Sequence, residues 1–343
     1  MKFRPFNIEN DISWLTEFHN DPESAKYFLT IYPQTEYAVS EDLKDGLKEG
    51  KHIVAELNGE PAGMINIWTG DGRDRHIGGL AIGVRRQYWG KGVGTALMKE
   101  GIKVAKELGC RKLFLGVFEG NERAITLYQK IGFVVEACEE DAVYIDGTWR
   151  RMYIMGLELA PCEPRFEASK IEINSGKTLE NGNIWVRHLR TKDLDEVNRL
   201  QNCTESTKSS SIVPPITKEY TKRWYEKIRP INGYYCIAAF NDEERLLGYL
   251  LFRANTLPFA NLKSDEIIVD INQKPEETAN ALIKALVSFK ERYGYHKIFA
   301  YVPQKSYCIV TALQKNDFKN VGTSHAYYYI DGQYVDLEHY QYP

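Results

Sequence analysis

The chain has 343 residues, 43% of them hydrophobic and 27% charged, a length that allows about two domains of roughly 100–200 residues. That balance excludes a disordered or fibrous chain, and the 44 Lys+Arg set against 47 Asp+Glu leave no basic excess for a nucleic-acid partner. The first ten residues hold no apolar signal core, and no uncharged run approaches the ~20 residues a membrane helix needs, so a soluble cytoplasmic protein with no membrane partner is expected. Six cysteines, Cys110, Cys138, Cys162, Cys203, Cys236 and Cys308, are scattered without a C-x-x-C pair or a His cluster at ligand spacing, which reads as reduced thiols and no metal.

The chain repeats itself with a period of half its length. Arg4 falls on Arg187 and Ala55 on Ala238, an offset of 183; after a hairpin two residues longer in the second copy the offset is 185. At that offset Gly63 meets Gly248, Gly109 meets Gly294, Lys112 meets Lys297, Phe133 meets Phe318, and Tyr144, Ile145, Asp146 and Gly147 meet Tyr329, Ile330, Asp331 and Gly332. The periodicity places copy one at residues 1–158, a linker rich in turn-forming residues at 159–182, and copy two at 183–343. Each copy is expected to run strand, one or two polar helices, hairpin, strand, long helix, strand, short helix and a final strand pair. The best-marked stretch is a strand over residues 80–84, a glycine-rich turn, a helix over 92–108 stopped by Gly109, and a buried strand over 112–118. Val93, Leu97, Val104 and Leu108 supply that helix with an apolar stripe. The tyrosines at 327–329, 340 and 342 read as closing strands of copy two. The fold class is α+β, each domain built on a mixed sheet.

Between strand and helix the sequence runs from Arg85 through Gln87, Tyr88, Trp89, Gly90, Lys91, Gly92, Val93 and Gly94 to Thr95. Alternate glycines permit positive φ and bring backbone N–H groups to one concavity at a helix N-terminus, which suits a phosphate or pyrophosphate. Read alone, the same glycines also fit a flexible strand-to-helix turn. The spacing matches neither the dinucleotide fingerprint nor the P-loop. Together with Asn121, Ala124, Tyr128, Gly132 and Phe133 after the next strand, the segment closely resembles the GNAT superfamily of acyl-CoA-dependent N-acetyltransferases. The likeness covers copy one and extends through the repeat to copy two, implying two tandem GNAT-like acyl-CoA N-acyltransferase folds.

The resemblance implies acetyl-CoA as co-substrate. Gly90, Lys91, Gly92, Val93, Gly94 and Thr95 would wrap the pyrophosphate, with Gln87 at the start of the motif. The strand around Ile82, Gly83 and Val84 would splay from that around Leu115–Val117, and the pantetheine arm would add to the edge at Ile82 and Val84. Asn121 would hydrogen-bond the arm or order the splayed strand, and equally suits a helix N-cap; Ala124 belongs to the same signature. Tyr128, at the family's general-acid position, would protonate the leaving thiolate, a role for a phenol that is neutral at pH 7. Its other reading is a core aromatic. For the general base the strand before the turn offers no carboxylate; His76 and Glu119 are the candidates, each also readable as a solvated loop residue. Cys110 and Cys138 read as inert buried thiols rather than acyl carriers.

The acceptor pocket of the family draws on the early helices and the last hairpin. Residues 12–37 hold Trp14, Phe18, His19, Tyr27, Phe28, Tyr32 and Tyr37; residues 136–151 hold Glu136, Glu139, Glu140 and Asp141. Aromatics with carboxylates suit a small cationic amine or amino-sugar, although helix aromatics also build cores and charged hairpins also face solvent. A protein or peptide amine as acceptor and a non-catalytic acyl-CoA sensor stand as alternatives, and a homodimer is left open. In copy two, Gly90, Gly92 and Gly94 become Pro275, Glu277 and Ala279, Lys91 becomes Glu276, Asn121 becomes Ser306 and Tyr128 becomes Leu313. Proline removes an N–H and the carboxylates repel phosphate, while Leu282, Leu286, Phe289 and Tyr293 keep a helical stripe. Copy two is therefore expected to keep the fold without the chemistry.

Overall fold

A computed structural model describes residues 1–28, 33–145, 147–160, 184–228, 233–255 and 260–343. The chain divides into two compact units, Met1–Pro161 and Cys162–Pro343; most of the expected linker, Cys162 and Tyr32 lie outside the described residues. Among the described residues no helix is long and apolar enough to cross a membrane, and no group of side chains gathers at metal-binding distance.

The first unit runs β1 (Lys2–Pro5), α1 (Ile8–Asn20), α2 (Pro22–Phe28), α3 (Glu36–Glu49), β2 (Gly50–Leu57), β3 (Glu60–Thr69), β4 (Ile77–Val84), α4 (Val93–Glu107), β5 (Lys112–Phe118), α5 (Glu122–Ile131), β6 (Val134–Ile145) and β7 (Thr148–Glu158). Its sheet has the order β1-β2-β3-β4-β5-β7-β6. All described neighbours are antiparallel except β4 and β5, which are parallel and joined through α4, as a crossover connection requires. The α4 face turned to the sheet is Val93, Leu97, Met98, Gly101 and Ala105, one position round from the expected stripe, and Leu108 is 40% exposed. Gly101 sets that rotation: a Cβ there would stand 2.5 Å from Ile65 Cδ1, so the helix approaches β3 along its smallest residue.

The second unit runs β8 (Trp185–His188), α6 (Leu194–Gln201), α7 (Lys218–Lys227), β9 (Tyr234–Phe240), β10 (Leu246–Ala254), β11 (Leu262–Val269), α8 (Pro275–Tyr293), β12 (Ile298–Pro303), α9 (Tyr307–Lys315), β13 (Lys319–Ile330) and β14 (Gln333–Tyr342), with sheet order β8-β9-β10-β11-β12-β14-β13. The order is that of the first unit strand for strand, and the registers coincide where the repeat aligns them. Gly63 faces Val84 and Ile65 faces Ile82 in one unit; Gly248 faces Val269 and Leu250 faces Ile267 in the other. Each unit also opens with a bidentate arginine clamp on the carboxylate at its first helix: Arg4 on Asp11 at 2.6 and 2.7 Å, Arg187 on Asp193 at 2.6 and 2.8 Å. Leu282 and Leu286 are buried on α8, whereas Tyr293 at its end is 58% exposed.

Candidate active site

The β4–β5 pairing ends early. Ile77 meets Lys112, Gly78 meets Leu113 and Gly79 meets Phe114, and beyond these the strands part. The Arg85 N–H donates to Ala62 on the β3 side, so the carbonyl of Val84, on the same peptide, points the other way, and by the two-residue period the backbone groups of Ile82 share that side. A strand edge without a strand partner therefore faces a wedge between β4 and β5.

A cavity of about 770 Å³ fills the wedge and continues to the turn before α4, within the range of small-molecule sites. Ile82, Gly83, Val84, Gly90, Gly92, Val93, Gly94, Thr95, Asn121, Ala124 and Tyr128 all line it. Gly90 and Gly92 take φ of 73° and 77°, conformations that cost other residues about 1–2 kcal/mol. No atom lies within 4 Å of where a Cβ would stand at either position. The turn is thus glycine-bound by backbone conformation and leaves open space in front of it, at the N-terminus of a 15-residue helix. That combination of positive backbone dipole and clear approach fits an anion such as a pyrophosphate.

Tyr128 lies on α5, fixed by Asn121, whose side chain accepts from Ala124 N at 3.3 Å as N-cap, and by Gly132, which ends the helix at φ 112°. Its ring packs 5.9 Å from that of Phe133. The residue is 7% exposed, and burial holds the phenol well above its ordinary value, so it stays a proton donor through the neutral range. On the opposite wall stand Phe18, Ser24, Tyr27 and Phe28. Phe18 and Phe28 meet edge to face at 5.0 Å directly over Gly83, where a Cβ would come within 2.7 Å of Phe18 Cζ. The Tyr27 hydroxyl donates to the Gly120 carbonyl at 3.2 Å, tying α2 to the turn after β5.

Several expected residues lie elsewhere. His76 precedes β4, its carbonyl accepting from Arg111 N at 2.8 Å, and Ile82 lies six residue steps along the strand, about 20 Å at strand rise. It is not brought to the cavity. Glu119 adjoins the lining but turns to β7, where its carboxylate accepts from Arg151 N at 3.4 Å. Lys91 places its ammonium 5.5 Å from the Tyr88 ring centroid and does not line the cavity. Gln87 lines a smaller adjoining cavity of about 410 Å³ with Arg85 and Arg86. The acceptor carboxylates are engaged away from the cavity: Glu136 pairs with Lys112 at 2.6 Å, both almost wholly buried, Glu140 lies 3.8 Å from Arg151, and Glu139 is buried. Trp14 belongs to the α1 core, its Nε1 donating to Asp11 at 2.7 Å, and Tyr37 is 74% exposed. Cys110 is buried and Cys138 half-buried, and burial pushes both thiols up, away from nucleophilic use.

Comparison with known proteins gives the arrangement its family. Residues 13–133 match the model of the acetyltransferase (GNAT) family. The first unit is a GNAT acetyltransferase domain. Spermidine N(1)-acetyltransferase of Escherichia coli (strain K12) is 29% identical over 159 residues, covering 44% of this chain and 81% of that one. L-amino acid N-acetyltransferase AaaT of the same organism is 28% identical over 149 residues, covering 42% and 90%. Among solved structures, an acetyltransferase of the GNAT family from Streptococcus pneumoniae aligns at 27% identity and a TM-score of 0.39, over 46% of this chain and 98% of that one.

Within this GNAT domain the structure adds two side chains that the sequence reading gave no role. Trp89 Nε1 donates to the Val84 carbonyl at 2.7 Å, so that carbonyl, expected to bind the coenzyme arm, is already engaged. The Arg123 guanidinium lies 3.7 Å from the Trp89 ring centroid, and both residues line the cavity. The signal was position: Trp89 sits inside the glycine motif and Arg123 two residues after the Asn121 cap.

Proposed function

We propose that the first unit transfers an acetyl group from acetyl-CoA directly to the primary amine of a small molecule, with Tyr128 as general acid. The observation that carries this reading is the unpaired β4 edge at Ile82, continuous with a glycine-opened helix N-terminus and overlooked by a buried tyrosine. When bound, acetyl-CoA supplies the activated acyl group as a thioester. The N–H groups of Gly90, Gly92, Val93, Gly94 and Thr95 would hold its pyrophosphate, while that of Lys91 donates to the Tyr88 carbonyl within the turn. The backbone at Ile82 and the N–H of Val84 would order the arm, and the Ile82 N–H would stabilise the oxyanion as the amine adds. The C–N bond would form on addition, the C–S bond would then break as Tyr128 gives its proton to the departing sulfur, the proton of the attacking nitrogen would leave to solvent, and solvent would return a proton to Tyr128.

For the acceptor, the relatives named above act, by their names, on spermidine and on L-amino acids, which supports a small amine. The wall of Phe18, Tyr27 and Phe28 suits a cationic amine or amino-sugar through ring faces. Among the described residues that line the cavity Glu122 is the one carboxylate, beside Arg123 and Lys130, which favours one ammonium over a long polycation.

We further propose that the second unit, residues 183–343, is a degenerate copy of the same fold without coenzyme chemistry. Its α8 begins at Pro275, the position of Gly90, so the glycine turn is replaced by a first helical turn carrying Glu276 and Glu277. Release of free thiol from acetyl-CoA, measured across a panel of primary amines with the full chain, tests the reading: turnover with a small cationic amine supports it, and tight acetyl-CoA binding without turnover on any amine would support a sensor instead.

A further inference from the structure

The second unit has a cleft of its own. Among the described residues its β11 and β12 pair only at Leu262 with Ile298 and Lys263 with Phe299, then part as β4 and β5 do. The Asp270 N–H donates to Leu247 on the β10 side at 2.7 Å, so the carbonyl of Val269, and two residues earlier that of Ile267, face the cleft. Ile267 is the counterpart of Ile82 at the offset of 185.

In the first unit that edge borders open cavity. In the second it meets the chain itself. A 3₁₀ turn, Ser206–Ser209, follows α6 where α2 follows α1, and the Ser209 hydroxyl donates to the Ile267 carbonyl at 2.7 Å. The Ser206 hydroxyl accepts from Ile271 N at 3.4 Å. Ser206, Thr207 and Ser210 are 2%, 0% and 3% exposed, although this is a run of hydroxyl side chains that would otherwise face water. Lys208 fastens the segment, pairing with Glu205 and with Asp331 in the β13–β14 turn, each at 2.7 Å. On the adjoining face, the position of cavity-lining Ala81 is occupied by Glu266, which accepts from the Tyr249 hydroxyl at 2.5 Å. Behind it Gln201, Thr221 and Asn198 continue a hydrogen-bonded chain into α6 and α7.

We propose that residues 206–210 are a built-in occupant of the second unit's strand cleft, with Ser209 taking on Ile267 the place that the coenzyme arm takes on Ile82 in the first unit. The assignment rests on the coenzyme reading of the first unit. The second unit is thereby closed to a coenzyme arm by its own backbone and hydroxyls, independently of what became of its glycine turn. A segment that bonds the strand edge satisfies a backbone carbonyl there without a ligand.

The test uses the full chain with acetyl-CoA titration and amide hydrogen exchange side by side. One acetyl-CoA binds per chain, and Gly92→Glu weakens that one site by at least about tenfold. Exchange across residues 206–211 and 264–269 is slow without coenzyme and unchanged by it, and Ser209→Ala raises it about fivefold, the effect of one hydrogen bond of ordinary strength, while thiol release by the first unit stays as in the wild type. Two coenzymes per chain, or one bound at wild-type affinity in Gly92→Glu, overturns the proposal, as does slow exchange in Ser209→Ala. Failure of the wild type to bind any acetyl-CoA overturns the reading of the first unit instead, and the exchange result then still decides whether residues 206–210 seal the second cleft.

Discussion

Gly92 is the position at which backbone conformation and ligand charge can be separated. Its φ of 77° costs an L-residue about 1–2 kcal/mol, and no atom waits within 4 Å of an added Cβ, so substitution strains the turn without disturbing the core. An Ala at 92 pulls the turn toward negative φ and turns its N–H groups from the concavity. Restoring them on binding should weaken acetyl-CoA affinity about 5- to 30-fold, the equivalent of that strain. Gly92→Gln should behave similarly. Gly92→Glu adds a carboxylate about 6 Å from a phosphate charge, worth between about 0.7 and 3 kcal/mol as the effective dielectric falls from 80 to 20, a further loss of about 3- to 150-fold. Calorimetry of the three variants at low and at high salt reads both terms: the Ala and Gln losses hold with salt, while the gap between Glu and Gln closes as screening rises. Melting temperatures should stay near that of the wild type. An acetyl-CoA affinity unchanged in Gly92→Glu at low salt refutes the placement of the pyrophosphate.

Glu266 supplies a test by pH. Burial pushes its carboxyl up from 4.5 to about 7, so the folded chain keeps a proton that the unfolded chain releases; the contribution is full below about pH 4.5 and lost as pH rises through 7. Stability of the second unit should fall by an amount of order 3 kcal/mol across that window, and Glu266→Gln should flatten the profile in denaturant melts; an unchanged slope contradicts the assignment. Lys112→Met should lower the stability of the first unit by about 3–5 kcal/mol by leaving Glu136 charged and buried, with much of the loss regained when Glu136→Leu is added; a loss under 1 kcal/mol in chemical denaturation contradicts it.

What the sequence could carry was what local periodicity and backbone conformation encode. The glycine turn, the Asn121 cap and the strands on either side follow from spacing and φ, and they reappear where the motif places them. What it could not carry was the use made of side chains across the sheet. His76 is near the motif in sequence, yet an extended strand turns six residues into a separation of about 20 Å. Glu136 and Glu140 look available in a charged hairpin, and the partners that engage them come from other strands, Lys112 from β5 across β7 and Arg151 from β7 itself. Pro275 reads as a lost N–H, and in the structure it is also the first residue of a longer α8, since proline suits that position. Residues 206–210 carry no apolar pattern that would announce burial; the Thr207 and Ser210 hydroxyls bond the carbonyls of Thr204 and Thr207 in their own turn, and Ser209 reaches the Ile267 carbonyl.

The most direct test of the central claim, acetyl transfer in the first unit with Tyr128 as acid, is the Tyr128→Phe variant under saturating acetyl-CoA. The ring and its packing on Phe133 remain, and only the buried hydroxyl is lost. In this variant kcat is expected to fall by at least about 10²-fold, as for loss of a general acid, with acetyl-CoA affinity within about twofold of the wild type. A kcat within threefold of the wild type would contradict it.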